Sequence, residues 1–319
     1  MASHTNTTER EEYFMVGWFK YPKDLDINYD LLQLLYIIII ITSLPLNVIF
    51  LAMIIKNPGN KTWTNMSIIL ASLSIMNLAA NGVSTVNEVY KIYEGDQMTL
   101  ISNNVMTSIL AMAFTKYYVS TFLLAFITYA MIVKPLLYKA MSPKPRTMVF
   151  IILALWLTAA GVFLILPLFI DDYSDIMQTI VAVFIWLFTF VMAIMYAKIL
   201  TTLRRRKREL QSTLNVAASR QGLLVIKQNS KLATTLFLYI VSLVLQTLPI
   251  TTCLFLLINC PPCNKPLTIT LILHLLPPAL LMSVLFPIHW LFGTPQYYNE
   301  IKRLASKLMT FTAVQRGTT

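Results

Sequence analysis

One lysine within an apolar stretch is the residue of this sequence whose chemistry most needs explaining. Lys116 lies in the apolar run Val105–Val133, twelve residues before Thr128, which is about three turns of a helix. At such a depth in a bilayer a lysine costs roughly 2.5–3.5 kcal/mol on insertion scales, and it normally faces other helices and has a partner. Two roles stay open. It is either the countercharge for an anionic ligand group such as a carboxylate, or a structural partner of Glu88 or of nearby hydroxyl and amide groups.

An acidic residue and several aromatic residues extend the set of candidates for ligand contact. Glu88 lies near the end of the apolar run Met66–Tyr90, where it either lines a pocket or marks the water boundary. Aromatic stripes in apolar helices mostly serve packing, but a minority line pockets, because small-ligand sites are usually apolar. The candidates for ligand contact are Glu88, Lys116, Tyr117, Tyr118, Phe184 and Phe188.

The cysteines and histidines do not form a catalytic or metal-binding set. Cys260 and Cys263 have the spacing of a redox motif, but a small disulfide that rigidifies a loop suits an oxidising exterior better, and free thiols are the alternative. His274 and His289 are isolated, so we expect hydrogen-bonded packing roles. With eight glycines the chain has no glycine-rich phosphate cradle. We predict no enzyme, no metal site and no cofactor.

The elements that hold these residues are predicted to be membrane-spanning helices. The chain has 319 residues, of which 57% are hydrophobic and 12% charged, whereas soluble domains are about 25% charged. A bilayer core of about 30 Å needs about 20 apolar residues per helix. Seven runs meet this requirement, which predicts an all-α membrane protein built as a seven-transmembrane helix bundle. The runs are Leu31–Ile55, Met66–Tyr90, Val105–Val133, Met148–Ile170, Thr179–Leu200, Leu232–Leu257 and Leu267–Phe292.

The distribution of basic residues predicts the orientation of the bundle. With the N-terminus outside, eighteen Lys and Arg residues fall on the inner side and five on the outer side, as the positive-inside rule requires. We therefore expect residues 1–30 to be extracellular, residues 31–292 to form the bundle, and residues 293–319 to be a cytoplasmic tail, in a multi-pass protein of the plasma membrane. The net charge of +11 then serves topology and contact with anionic membrane lipids, and no nucleic-acid partner is needed to explain it.

Two features outside the spans support this topology. Asn6 begins an Asn-x-Thr sequence in the outer segment, which predicts a glycosylation site. After the last span, Ile301, Leu304 and Leu308 recur at helical spacing between basic residues. This pattern predicts a short amphipathic helix on the inner membrane surface.

The inner end of the third span carries the most specific motif. Residues 124–138 read Leu-Ala-Phe-Ile-Thr-Tyr-Ala-Met-Ile-Val-Lys-Pro-Leu-Leu-Tyr, and Met-Ser-Pro follows at 141–143. This resembles the signature Met-Ala-(Phe/Tyr)-Asp-Arg-Tyr-Val-Ala-Ile-Cys-Lys-Pro-Leu-x-Tyr of vertebrate odorant receptors, which are rhodopsin-like (class A) G-protein-coupled receptors. The chain is most similar to divergent, fish- or amphibian-type members. Other landmarks of that class have counterparts at Asn47, Trp156, Tyr196, Pro249 and Pro287.

The chain departs from this family at several positions that matter for signalling. Ile127-Thr128-Tyr129 stands where the family has Asp-Arg-Tyr, and Thr247 stands where it has Trp. The sodium-binding Asp of the second span is replaced by Asn77 or, in another alignment, by Ser74. No cysteine lies at the outer end of the third span, so the family's usual extracellular disulfide is missing.

Two functions follow from the resemblance and its departures. The resemblance implies a chemosensory receptor that binds a small, mostly apolar ligand in the outer half of the bundle, between spans 3, 5, 6 and 7, and signals to a heterotrimeric G protein. It implies conformational roles for Thr128, Tyr129, Tyr196, Pro249 and Pro287; the two prolines are either hinges or static kinks. The alternative is a seven-span protein without G-protein signalling, an orphan scaffold or a transporter. The loss of Arg at Thr128 favours this alternative, while the scarcity of deep charges argues against transport.

Overall fold

Helices account for almost all of the described chain. The computed structural model describes residues 13–16, 19–22, 29–56, 64–94, 100–162, 173–211, 216–260, 268, 270–272, 274–275, 280–294, 297–303 and 306. The helices with complete bounds are α1 Tyr29–Lys56, α2 Asn65–Glu94, α3 Leu100–Val133, α4 Pro135–Met141, α5 Pro145–Ala160, α6 Tyr173–Gln211, α7 Val216–Asn259 and α8 Met282–Gly293. Residues 297–303 are also helical.

A short hairpin precedes the first helix and departs from the all-α expectation. Strand β1, Tyr13–Val16, pairs antiparallel with strand β2, Phe19–Pro22. Both strands contain aromatic residues and β1 ends in Val, residue types that favour extended backbone. Because the strands are only four residues long, apolar runs long enough to cross a bilayer do not indicate them.

Five of the described helices are long and apolar enough to cross a membrane. Their apolar stretches lie in α1, α2, α3, α6 and α7, at Leu34–Lys56, Asn65–Val83, Thr115–Val133, Thr179–Gln211 and Gly222–Leu257. The fourth and seventh predicted spans overlap the shorter apolar helices α5 and α8. The protein is thus membrane-embedded, and the count of seven spans and the outward N-terminus stay predictions.

Helices α6 and α7 extend well beyond the apolar runs that predicted them. The 39 residues of α6 span about 58 Å at 1.5 Å per residue, nearly twice the bilayer core of about 30 Å. The added length of α6 carries the basic run Arg204–Arg208, in which Arg205 lies 3.3 Å from Glu209. Near the C-terminal end of α6, the side chain of Leu210 lies against Gly222 of α7. The two helices therefore stay in contact beyond the apolar runs.

Two of the shorter helices begin at prolines. Pro135 opens α4 and Pro145 opens α5, positions at which a proline costs no helical hydrogen bond. The segment between these helices is tied to the start of α2, because the Asn65 amide donates to the Ser142 hydroxyl at 3.1 Å and to the Pro143 carbonyl at 3.0 Å. The Met-Ser-Pro sequence thus positions α5 relative to α2.

The core is continuous from the bundle into the helical residues 297–303. Phe50 of α1 meets Phe286 of α8 and Tyr297 edge to face, with ring centroids 5.4 and 5.5 Å apart. Burial raises the pKa of the Tyr297 hydroxyl, and a hydrogen bond with Ser67 partly offsets this. Glu300 is also buried and pairs with Arg303 at 2.6 Å. The segment after α8 therefore packs back onto the bundle.

A proline in α8 is stabilised by side chains of α1. Pro287 has no N–H, so the Ser283 carbonyl one turn earlier loses its helical partner. The Asn47 amide donates to this carbonyl at 2.9 Å, and the Ser43 hydroxyl donates to it at 3.2 Å. Membrane helices tolerate proline when neighbours satisfy the freed groups in this way, and here the arrangement fixes α8 against α1.

Candidate functional site

A cavity of about 400 Å³ lies between α2, α3, α5 and α6. This volume falls within the range of small-ligand sites, about 300–1,000 Å³. Most of its walls are aliphatic or aromatic, and its few polar side chains come largely from α3, among them Thr115, Lys116 and Ser120. The cavity is therefore suited to an apolar molecule that carries a small polar group.

Lys116 is buried in the wall of this cavity, and no described residue is its hydrogen-bond partner. Its side chain is 6% exposed, and its Nζ lies 3.3 Å from the centroid of the Trp156 ring. Among the described residues nothing accepts a hydrogen bond from this Nζ. A desolvated cation–π contact contributes about 2 kcal/mol, against an insertion cost of roughly 2.5–3.5 kcal/mol. Trp156 thus offsets much of the cost but leaves the three donors of the ammonium unused.

The position of Glu88 on α2 argues against a direct pair with Lys116. Ser72 and Lys116 both line the cavity, which places them at similar depth. Glu88 lies sixteen residues beyond Ser72 on the same helix, about 24 Å further along its axis. The side chain of Glu88 lies outside the described residues, and its pocket role stays a prediction.

The cavity gathers four of the six candidates for ligand contact. Lys116, Tyr118, Phe184 and Phe188 line it. The rings of Phe184 and Phe188 are 5.8 Å apart, and Phe122 lies 5.0 Å from Phe188. Together these rings form an aromatic wall between α3 and α6.

Tyr117, the remaining described candidate, is absent from the cavity walls. It is buried in the core, and within the described part of the chain its hydroxyl has no hydrogen-bond partner. Its neighbours Lys116 and Tyr118 both line the cavity. The ligand-contact role of Tyr117 stays a prediction.

The walls of this cavity differ from those expected. Helices α7 and α8, which overlap the predicted spans 6 and 7, contribute none of its described wall residues. At this level the Tyr118 hydroxyl is hydrogen-bonded to the Thr247 hydroxyl of α7, and the bulky Tyr239 is fully buried between α7 and its neighbours. These side chains fill the space between α3 and α7, so the cavity lies on the α5 side of α3.

Residues of α5 are the part of the site that the sequence did not reveal. Trp156 serves there as a partner of Lys116, whereas the sequence offered it only as a family landmark. Leu155 and Ile152 also line the cavity. The one available signal was Lys116 itself, because an aromatic ring is one kind of group that can stabilise a buried cation.

A neutral polar cluster joins α1, α2 and α8. The Asn77 amide donates to the Asn47 side-chain carbonyl at 3.0 Å, and the Asn81 amide donates to the Ser43 hydroxyl at 2.7 Å. In the described part of the chain, no group of three or more His, Cys, Asp or Glu side chains is placed to hold a metal ion.

The candidates for conformational roles lie in the second halves of α3 and α6 and at two prolines. Thr128 is buried, and its hydroxyl donates to the Leu124 carbonyl of its own helix at 2.8 Å. Tyr129 packs on an apolar cluster that includes Ile132 and Ile199. These contacts close α3 against α6 without a charged link, and the signalling roles of Thr128 and Tyr129 stay predictions.

Contacts between the helices that follow α5 involve the other candidates. Tyr196 of α6 stacks on Phe237 of α7, with centroids 4.5 Å apart. Pro249 lies inside α7 and Pro287 inside α8. The Nδ1 of His289 donates to the Leu285 carbonyl at 2.7 Å, which leaves its Nε2, 3.3 Å from the Ser242 hydroxyl, as the acceptor. This is the hydrogen-bonded packing role expected of a bundle histidine.

The remaining sequence predictions lie at the edge of the described residues or beyond it. Cys253 is free and Cys260 is disulfide-bonded. Asn6 and Cys263 lie outside the described residues. The glycan at Asn6 and the pairing of Cys260 with Cys263 stay predictions.

No protein family and no curated protein matches this chain in sequence comparisons. The likeness to odorant receptors therefore rests on the motifs quoted above. The function has to be argued from the cavity and from the helices that surround it.

Proposed function

We propose that this protein is a chemosensory receptor of the rhodopsin-like class, of the odorant-receptor type, in the plasma membrane with its N-terminus outside. The observation that carries the proposal is the cavity of about 400 Å³ with apolar walls and one buried lysine. Ionisable residues inside membrane proteins usually serve function. The motif at residues 124–138 supports the same class.

The arrangement of helices offers a route from ligand to cytoplasm. Helix α3 carries Lys116 in the cavity and Thr128 at its inner end, and α6 carries Phe184 in the cavity and the basic run Arg204–Arg208. A ligand that binds more tightly to one arrangement of α3 and α6 shifts the population towards it. A heterotrimeric G protein would bind the changed surface at the inner ends of these helices.

The alternative is a seven-span protein that binds a ligand or partner without G-protein signalling. Its supporting observation is at Thr128, whose hydroxyl donates to a carbonyl of its own helix, so this donor is not offered to α7. The apolar packing of Tyr129 with Ile132 and Ile199 also supplies no charged switch.

A second-messenger assay in cells decides between these functions. The protein is brought to the cell surface and exposed to a panel of volatile and acidic small molecules, beside Lys116→Met. Lys198→Met is the matched control, because Lys198 is exposed on α6 and lines no part of the cavity. We expect the parent and the control to respond, and Lys116→Met to lose the response to acids. Silence of the parent across the panel, with surface expression confirmed, would favour the non-signalling alternative.

The orientation has its own test. An outward N-terminus predicts a glycan at Asn6, so glycosidase treatment should shift the electrophoretic mobility of the parent. The variant Asn6→Gln should run at the shifted position without treatment. A cytoplasmic N-terminus would give no shift in either protein.

A further inference from the structure

The cavity opens sideways, through the outer surface of the bundle. Four of its wall residues are exposed on that surface. Leu155 of α5 is 38% exposed, Ile180 and Phe184 of α6 are 41% and 51% exposed, and Thr158 of α5 is the one polar residue among them. Within the described residues, α5 and α6 scarcely contact each other, while α3 packs along α6 behind them. Because the surrounding surface is apolar, this opening faces the hydrocarbon of the bilayer.

Two adjacent residues of α3 present unused hydrogen-bond donors at the cavity wall. The Nζ of Lys116 and the Oγ1 of Thr115 are both buried, and neither has a partner among the described side chains or backbone. Buried polar groups are nearly always hydrogen-bonded, and each exception calls for an explanation. Both residues line the same cavity, so a ligand that supplies acceptors explains both exceptions.

We infer that the cavity binds an alkyl carboxylate, such as a medium-chain fatty acid, that reaches it from the bilayer between α5 and α6. The inference rests on the proposed function, because it names the ligand class of the same site. The carboxylate lies at Lys116 and Thr115, and the alkyl chain lies along the apolar walls towards Phe184. The ring of Trp156 keeps its contact with the ammonium from the other side.

The donors present select a carboxylate among amphiphilic ligands. A carboxylate has two oxygens that only accept hydrogen bonds, and it neutralises the single cation. A phosphate or sulfate carries further oxygens and is usually held by Arg side chains or several donors, which these walls lack in the described chain. A neutral alcohol leaves the ammonium without a countercharge, and an alkyl ammonium repels it.

Direct binding to the purified full-length protein tests the ligand class. The protein is placed in phosphatidylcholine nanodiscs with radiolabelled dodecanoate, and unlabelled dodecanoate, dodecanol and dodecylammonium compete for the site. Losing one charge-assisted hydrogen bond weakens binding by about tenfold or more. We therefore expect dodecanol to compete at least about tenfold more weakly than dodecanoate, and dodecylammonium not to compete. Equal competition by dodecanol would overturn the inference.

Variants at Lys116 assign the effect to its charge. Lys116→Met should weaken the binding of dodecanoate by about tenfold and leave the binding of dodecanol unchanged. Lys116→Arg and the exposed control Lys198→Met should both keep the preference for dodecanoate. Dodecanoate binding that is unchanged in Lys116→Met would overturn the assignment. If Lys116→Met does not fold, Lys116→Arg and the competition series on the parent decide the question.

The sideways route has a separate test on α5. Leu155→Trp narrows the opening, while Leu157→Trp adds the same ring at a position that is exposed but lines no part of the cavity. With dodecanoate loaded into the bilayer, we expect slower association and release in Leu155→Trp alone. Equal rates in the two variants would overturn the route. No step needs a G protein, so failed binding refutes the ligand class, and binding without a cellular response refutes the receptor function.

Discussion

The ammonium of Lys116 faces the indole ring of Trp156, with 3.3 Å between Nζ and the ring centroid. This contact joins α3 to α5 at the cavity wall. It places a cation and an apolar wall within one pocket, and the cation has no acceptor in the described part of the chain. The protein therefore keeps a buried positive charge that the carboxylate of a ligand can neutralise.

The pair predicts a measurable coupling between Lys116 and Trp156. Trp156→Leu removes the ring face, so we expect a loss of about 1–2 kcal/mol in stability beyond the effect on packing. In the Lys116→Met background the same change should cost only the packing part. Thermal unfolding of the four purified proteins in detergent gives the coupling energy. Additive effects of the two changes would show that the ring does not stabilise the ammonium.

A second prediction concerns the hydrogen bond between the hydroxyls of Tyr118 and Thr247. Thr247→Val leaves the buried Tyr118 hydroxyl without this partner, which costs about 1–3 kcal/mol, whereas Tyr118→Phe removes a net contribution of about 0.5–1.5 kcal/mol. The double variant should therefore be more stable than Thr247→Val alone. Thermal unfolding of the three variants gives the order of their stabilities. If Thr247→Val matches the parent, the contact between α3 and α7 contributes no stability.

The third prediction tests how α1 stabilises the proline of α8. Asn47→Ala removes one of the two donors to the Ser283 carbonyl and leaves the Ser43 hydroxyl as the other, so we expect a loss of about 1–3 kcal/mol. Pro287→Ala restores a backbone N–H one turn below that carbonyl. Asn47→Ala should therefore cost less in the Pro287→Ala background, by about 1 kcal/mol. The same cost in both backgrounds would mean that Asn47 acts through its contact with Asn77 instead.

Hydropathy predicted the positions of the long helices but not all of their ends. The apolar runs overlap α1, α2, α3, α6 and α7, all of which have membrane-spanning length. The runs stop at Leu200 and start again at Leu232, whereas α6 continues to Gln211 and α7 begins at Val216. Hydropathy marks where lipid ends, and a helix can continue into water as a polar helix. Nothing in the runs indicates that continuation.

The candidate site was predictable on α3 and α6 and not on α5. A lysine inside an apolar run is conspicuous, and Tyr118 follows it by two residues. Phe184 and Phe188 recur at a helical spacing of four residues in another apolar run. The role of Trp156 depends on how α5 is rotated and shifted against α3. That packing is fixed partly by distant contacts such as Asn65 with Ser142, which the local sequence pattern does not encode.

The last prediction concerns a close approach between α7 and the end of α8. A Cβ added at Gly293 would overlap the side chain of Thr235, which is buried and donates its hydroxyl to the Lys231 carbonyl at 3.0 Å. Gly293→Ala should therefore push the two helices apart, at a cost of about 1–3 kcal/mol for overpacking. Thr235→Ala removes the two closest of these atoms but keeps the Cβ of residue 235, 2.9 Å from the added Cβ, so Gly293→Ala should cost less, but not nothing, in that background. Thermal unfolding of the single and double variants measures the rescue, and Gly82→Ala is the matched control because a Cβ there meets nothing within 4 Å. An equal loss in both backgrounds would place the strain of Gly293→Ala in the α8 backbone and not in its contact with Thr235.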